Sequence, residues 1–161
     1  MRPDTGDRTP SRRSAVGQRQ RRRRRLALRG SRRQVAGSRE FARQALRDWG
    51  WDGNEAGEDA LVLVSELVTN ACLYAGGCHE VVLTSGDAFR VEVFDGDTTL
   101  PRPPAVTRRG TPGGHGLHIV QRLADRWGTA AHGGGKVVWA EIDATRLTAG
   151  PARAAGAAPH G

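Results

Sequence analysis

Cysteine and lysine are nearly absent from this chain, and long apolar runs are missing altogether. The two cysteines, Cys72 and Cys78, have neither the spacing of a redox pair nor a context that resembles a metal site. They read as reduced cytosolic thiols. No stretch approaches the ~20 apolar residues that a membrane span needs. No short apolar segment near the N-terminus reads as a secretory signal, so a cytoplasmic protein without a membrane partner is expected. Lysine occurs once against 24 arginines, and with the abundant Ala and Gly this points to a GC-rich bacterial genome.

The 161 residues suit one domain with a real core. The net charge of +8 is unevenly placed: residues 1–33 hold 13 arginines against Asp4 and Asp7, and the remainder is mildly acidic. Residues 1–25, ending in the run Arg21–Arg25, contain too little apolar surface to offset their ordering entropy, and read as a disordered arginine-rich tail. Such a run can attract nucleic acid by counterion release. No aromatic residues interleave it and no recognition fold surrounds it, so a solvated extension is the preferred reading. The folded domain is placed at 26–147, with an Ala/Gly/Pro-rich disordered tail at 148–161.

Within the domain, Leu26–Leu28 reads as a first strand and Ser38–Trp49 as a helix, with Phe41, Ala45 and Trp49 at four-residue spacing. Glu58–Ala75 is the strongest helix. Leu61, Val64, Val68 and Cys72 make its apolar stripe, while Leu63, Glu66, Asn70 and Tyr74 occupy another face. Glu80–Thr84 and Phe89–Phe94 read as strands joined by a hairpin turn at Ser85-Gly86-Asp87. Gly96–Gly114 is a long loop of the kind that carries function or stays disordered. A short helix follows over Leu117–Ala124, then strands near Trp127 and over Lys136–Ile142. The expected fold class is α+β, a two-layer sandwich with a mixed, mostly antiparallel sheet covered on one face by helices.

Three groups of residues carry chemistry. Glu66 and Asn70, four apart, project from one face of a helix. An Asn carbonyl suits Mg²⁺, which takes hard oxygen ligands and shares few protein groups with phosphate. Glu66, one turn earlier, is placed to accept a proton near a γ-phosphate. Asp95 ends an apolar strand and can accept a hydrogen bond from an exocyclic amine; the plainer alternative is an Asx turn, for which Asp-Gly is a common signature. Gly113-Gly114-His115-Gly116 opens a helix and offers bare backbone N–H groups to phosphate. Each signal is weak alone; their order and spacing give the argument.

Together these residues resemble the Bergerat-fold (GHKL, histidine-kinase-like ATPase) superfamily, and within it the small bacterial anti-sigma factors that are also serine-protein kinases. The resemblance runs from about Leu26 to Ile142. It implies that Glu66 is the catalytic base, that Asn70 holds Mg²⁺, that Asp95 binds the adenine amine of ATP, and that Gly114, His115, Gly116 and Leu117 close on the phosphates. A late G-K-x-V-W strand, Gly135–Trp139, also fits. The chain departs from the pattern at Asp97, where glycine is frequent, at Val137, where threonine is frequent, at Tyr74, where histidine is frequent, and in a short lid over Asp97–Pro112. The departures at Asp97 and Val137 bear on base selectivity and affinity more than on phosphate handling. Arg108 and Arg109 in the lid are candidates for phosphate contact. The resemblance implies ATP and Mg²⁺ as cofactors, a sigma factor and an anti-sigma antagonist as protein partners, and serine/threonine-protein kinase activity; relatives often form homodimers. Two alternatives stand beside it: a nucleotide-sensing, partner-binding module without kinase activity, and a nucleic-acid-binding protein acting through the arginine tail.

Overall fold

Pairing of extended segments sets the architecture. The computed structural model describes residues 20–98 and 115–149; most of the expected lid, Arg108, Arg109, Gly113, Gly114 and the outer parts of both expected tails lie outside them. The elements are β1 (Arg22–Ala27), α1 (Gln34–Asp48), α2 (Glu55–Tyr74), β2 (Cys78–Ser85), β3 (Ala88–Asp95), α3 (His115–Leu123), β4 (Arg126–His132), β5 (Gly135–Asp143) and α4 (Ala144–Thr148). The strands form one sheet in the order β1-β2-β3-β5-β4. The α+β class is as expected. The mixed sheet is not: every strand pair among the described residues is antiparallel.

Side chains alternate across a strand, so one face of each strand meets the helices. Phe89, Val91 and Val93 of β3, Val81 and Leu83 of β2, and Ala140 and Ile142 of β5 are all buried on that face. They share one core with Leu61, Leu63, Val64, Leu67 and Val68 of α2. Two expectations for α2 are corrected. The row Ala56, Ala60, Leu63, Leu67, Ala71 is buried throughout, so Leu63 belongs to the apolar face. Cys72, expected in the apolar stripe, lies in the last turn and is exposed.

The arginine tail is the larger correction. Arg22–Ala27 is an edge strand paired residue by residue with Glu80–Ser85, so residues 22–25, expected in the tail, are strand, and the first strand starts earlier than Leu26. A ladder needs backbone N–H and C=O groups, not apolar side chains, and charged side chains on an edge strand deter further pairing. The arginines also find partners in the fold. Arg24 lies 2.6 Å from Asp48 and 5.5 Å over the Trp49 ring, and Arg25 lies 2.8 Å from Glu80.

Both long helices start earlier than their apolar patterns indicate, because polar side chains anchor their first turns. Gln34 donates to the carbonyls of Leu28 and Cys78 at 2.9 Å each and accepts from the Cys78 N–H at 2.8 Å. One side chain thereby joins the α1 start to both neighbouring strands. Asn54 caps α2 by accepting from the Gly57 N–H at 2.7 Å, and its amide donates to the Leu147 carbonyl at 2.7 Å. The second bond ties α2 to the short helix α4, which carries the domain to Thr148, one residue past the expected limit at 147. At the other end of the sheet, Gly133 and Gly134 (φ 50° and 79°) make the two-residue turn between β4 and β5 that demands two positive φ angles. No helix among the described residues is long and apolar enough to cross a membrane.

Two outcomes follow. Deleting residues 1–19 leaves β1 whole. Deleting 1–25 removes most of β1 and should cost about 2 kcal/mol or more, since each net ladder bond contributes roughly 0.5–1.5 kcal/mol. Equal melting temperatures for the two truncations would contradict the edge-strand assignment. The thiols should also differ. Cys78 is 1 % exposed, its Sγ–H donates to the Glu80 carbonyl at 3.2 Å, and burial pushes its pKa up to about 12. Iodoacetamide at pH 8 should label Cys72 in the native protein and Cys78 only after unfolding, as read by mass spectrometry.

Candidate functional site

β3 ends at Asp95, directly opposite Lys136 near the start of β5. Residues paired across antiparallel strands leave the sheet on the same face, here the helix-covered one shared with Val93. Both are buried, Asp95 at 5 % and Lys136 at 7 % exposure. Lys136 Nζ donates to Asp95 Oδ1 at 3.1 Å and lies 3.4 Å from Asp97 Oδ2. The Asp97 N–H donates to the same Oδ1 at 2.9 Å, which closes an Asx turn. The turn and the ion pair both use one carboxylate oxygen. Oδ2 has no partner among the described residues, so the Asx turn and an acceptor role for Asp95 coexist.

Glycines bring the backbone close around this corner. A Cβ on Gly135 would overlap the Asp95 carbonyl and come within 3.0 Å of Gly96 Cα. A Cβ on Gly96 would come within 2.9 Å of the His79 ring. The expectation that Val137 affects the adenine end is corrected. Val137 pairs with Phe94, one step along each strand from Asp95 and Lys136, so it faces the opposite side of the sheet. Its missing hydroxyl does not bear on Asp95. The residue that does is Lys136, inside the Gly135–Trp139 motif. The signal that finds it is strand alternation: if Asp95 faces the helices, its cross-strand partner does too.

On α2, Glu66 and Asn70 are half-buried one turn apart. Neither makes a side-chain hydrogen bond or ion pair among the described residues. Tyr74, next along that row, is exposed at 55 %. Helix α3 packs against α2, and α2 in turn lies over β3 and β5. His115 and Gly116 begin the backbone of α3 and Leu117 follows them, half-buried; Gly114 lies outside the described residues. Three elements thus carry the expected site: the middle of α2, the end of β3 and the start of α3. The side chains joined by contacts in the structure are Asp95, Lys136 and Asp97.

The donor set fits a magnesium nucleotide at both ends. A carboxylate oxygen that makes no hydrogen bond among the described residues, on a residue otherwise held by Lys136 and the Asp97 N–H, is free to accept from a base amine. A half-buried amide beside a half-buried carboxylate suits a hydrated cation. No group of three or more His, Cys, Asp or Glu side chains among the described residues is placed to hold a metal ion. A magnesium ion here would therefore draw on Asn70 and on phosphate oxygens.

Residues 28–142 match the family model described as the histidine kinase-like ATPase domain. None of the curated proteins compared with the chain matches it.

The buried pair gives a stability test. Removing one member of a buried ion pair leaves an uncompensated charge and typically costs about 3–5 kcal/mol. Lys136→Met should therefore be strongly destabilised in urea titrations. Adding Asp95→Asn to it should recover part of the loss, because the buried carboxylate is gone. Strictly additive losses would show that the two side chains do not interact.

Proposed function

This chain belongs to the histidine kinase-like ATPase domain family, and on that premise we propose that it is a cytoplasmic regulator that binds Mg-ATP and phosphorylates a serine of an anti-sigma antagonist. Domains of this family bind ATP with Mg²⁺. The observation that carries the reading is the pair Glu66 and Asn70: two half-buried polar side chains on one helix face, adjacent along the turn, with no protein partner among the described residues. Both groups are thus left open to a ligand or to water on one face of the helix.

The division of labour follows from the chemistry of each group. Asp95 Oδ2 accepts a hydrogen from the adenine amine. The Asn70 side-chain carbonyl would hold Mg²⁺, which when bound would supply neutralisation of phosphate charge. Backbone N–H groups at the start of α3, from His115 to Leu117, face the phosphates, where a helix N-terminus favours negative charge. Glu66 takes the proton of the attacking serine hydroxyl. The serine oxygen bonds to the γ-phosphorus as the bond to the bridging β–γ oxygen breaks, and ADP leaves. Such a transfer needs positioning and charge neutralisation more than covalent help from the protein.

A sigma factor and its antagonist are the proposed partners. Two of the arginines in the run, Arg24 and Arg25, are engaged in ion pairs within the fold.

Calorimetry with a non-hydrolysable ATP analogue and Mg²⁺ should show binding that Asp95→Ala and Asn70→Ala weaken; no heat at millimolar nucleotide would remove the reading. Glu66→Gln should still bind nucleotide while phosphate transfer to the antagonist falls by about 10²–10⁴-fold, the usual contribution of one general base. Transfer at the original rate would exclude Glu66. Nucleotide binding by the unaltered protein with no transfer to any antagonist would instead make the chain a nucleotide-sensing module.

A further inference from the structure

Lys136 is the chain's sole lysine. It sits at 7 % exposure on the covered face of the sheet, at the corner where β3 ends. An ammonium carries three donors. One goes to Asp95 Oδ1 at 3.1 Å, and Asp97 Oδ2 lies 3.4 Å from the ammonium. The third has no acceptor among the described residues. Beside it lies Asp95 Oδ2, an acceptor with no donor. A donor and an acceptor thus stand side by side, anchored to each other through Oδ1. That is the complement of the adenine edge, where the exocyclic amine donates and ring nitrogen N1, next to it, accepts.

We propose that Lys136 is a specificity-determining residue of the nucleotide site: its ammonium donates to adenine N1 while Asp95 Oδ2 accepts from the exocyclic amine. The inference rests on the ATP-binding reading above and adds to it a second, independent reader of the base. A carboxylate alone rewards any base that presents a donor. A carboxylate with a fixed ammonium requires donor and acceptor together in the right order. Asp97 has a role in the same device. Its carboxylate lies 3.4 Å from the ammonium, and the lysine cannot swing out of register without leaving the buried Asp95 carboxylate uncompensated.

The test compares ATP with two analogues on the full chain. 1-Deaza-ATP replaces N1 by C–H and keeps the amine. Purine riboside triphosphate keeps N1 and lacks the amine. Hydrogen bonds to charged groups are the stronger kind, so each analogue should bind about 10–100-fold more weakly than ATP. Lys136→Met should abolish the difference between ATP and 1-deaza-ATP while keeping the penalty for the missing amine. Because that variant is destabilised, the second readout uses the unaltered protein. With a single lysine, ¹⁵N-lysine labelling gives one side-chain ammonium resonance, which should shift on adding Mg-ATP and not on adding 1-deaza-ATP. Equal affinities for ATP and 1-deaza-ATP, or an ammonium signal that responds alike to both, would overturn the role of Lys136 and leave ATP binding intact. Failure of the unaltered protein to bind any of the three would overturn the ATP reading itself.

Discussion

The antiparallel ladder between β3 and β5 is the constraint on which the site depends. Its register sets Asp95 against Lys136, and with that one pairing fixes which face each side chain takes. A slip of β5 by one residue would turn Lys136 to the opposite face of the sheet and bring a neighbour such as Val137 to the helix side in its place. Gly135 protects the register locally, since any side chain there would collide with the Asp95 carbonyl. The charged corner can be buried because each member answers another: Lys136 faces two carboxylates, and Asp95 receives both the ammonium and the Asp97 N–H. A buried pair of this kind is weak evidence for stability and better evidence for a position that must be held.

Helix α2 links this corner to the rest of the molecule. Its apolar rows supply the centre of the core, packed on β2, β3 and β5, while Glu66 and Asn70 occupy a strip left outside it. The same packing that stabilises the domain therefore orients the two groups assigned to phosphate chemistry. Asn54 and Gln34 act at a distance from that chemistry. One fixes where α2 begins and ties it to α4; the other fixes where α1 begins and ties it to the first two strands. Rigid placement of a few polar groups by a well-packed scaffold is what positional catalysis requires.

Much of this was legible in the residues. The 3.6-residue repeat of α2 and the alternation of Val91 and Val93 gave the helix, the strand and the α+β class. The order of Glu66, Asn70, Asp95 and the Gly114–Leu117 segment gave the family. What escaped has identifiable physical causes. Composition assigned Arg22–Arg25 to a tail, because an edge strand held by backbone bonds leaves no apolar trace. The starts of α1 and α2 were missed because Gln34 and Asn54 work through single hydrogen bonds to distant carbonyls. Lys136 was overlooked, and Val137 weighed instead, because motif position was read without the two-residue period that assigns faces. That period was available in the sequence once Asp95 was given a side.

The most direct measurement of the central claim is a crystal structure of the chain with Mg²⁺ and a non-hydrolysable ATP analogue. The account predicts adenine at the end of β3, its amine within about 3 Å of Asp95 Oδ2, the usual N–H···O distance, and the phosphates between Asn70 and the first turn of α3. A nucleotide bound elsewhere, with Asp95 Oδ2 contacting no base and Asn70 facing solvent, would contradict it.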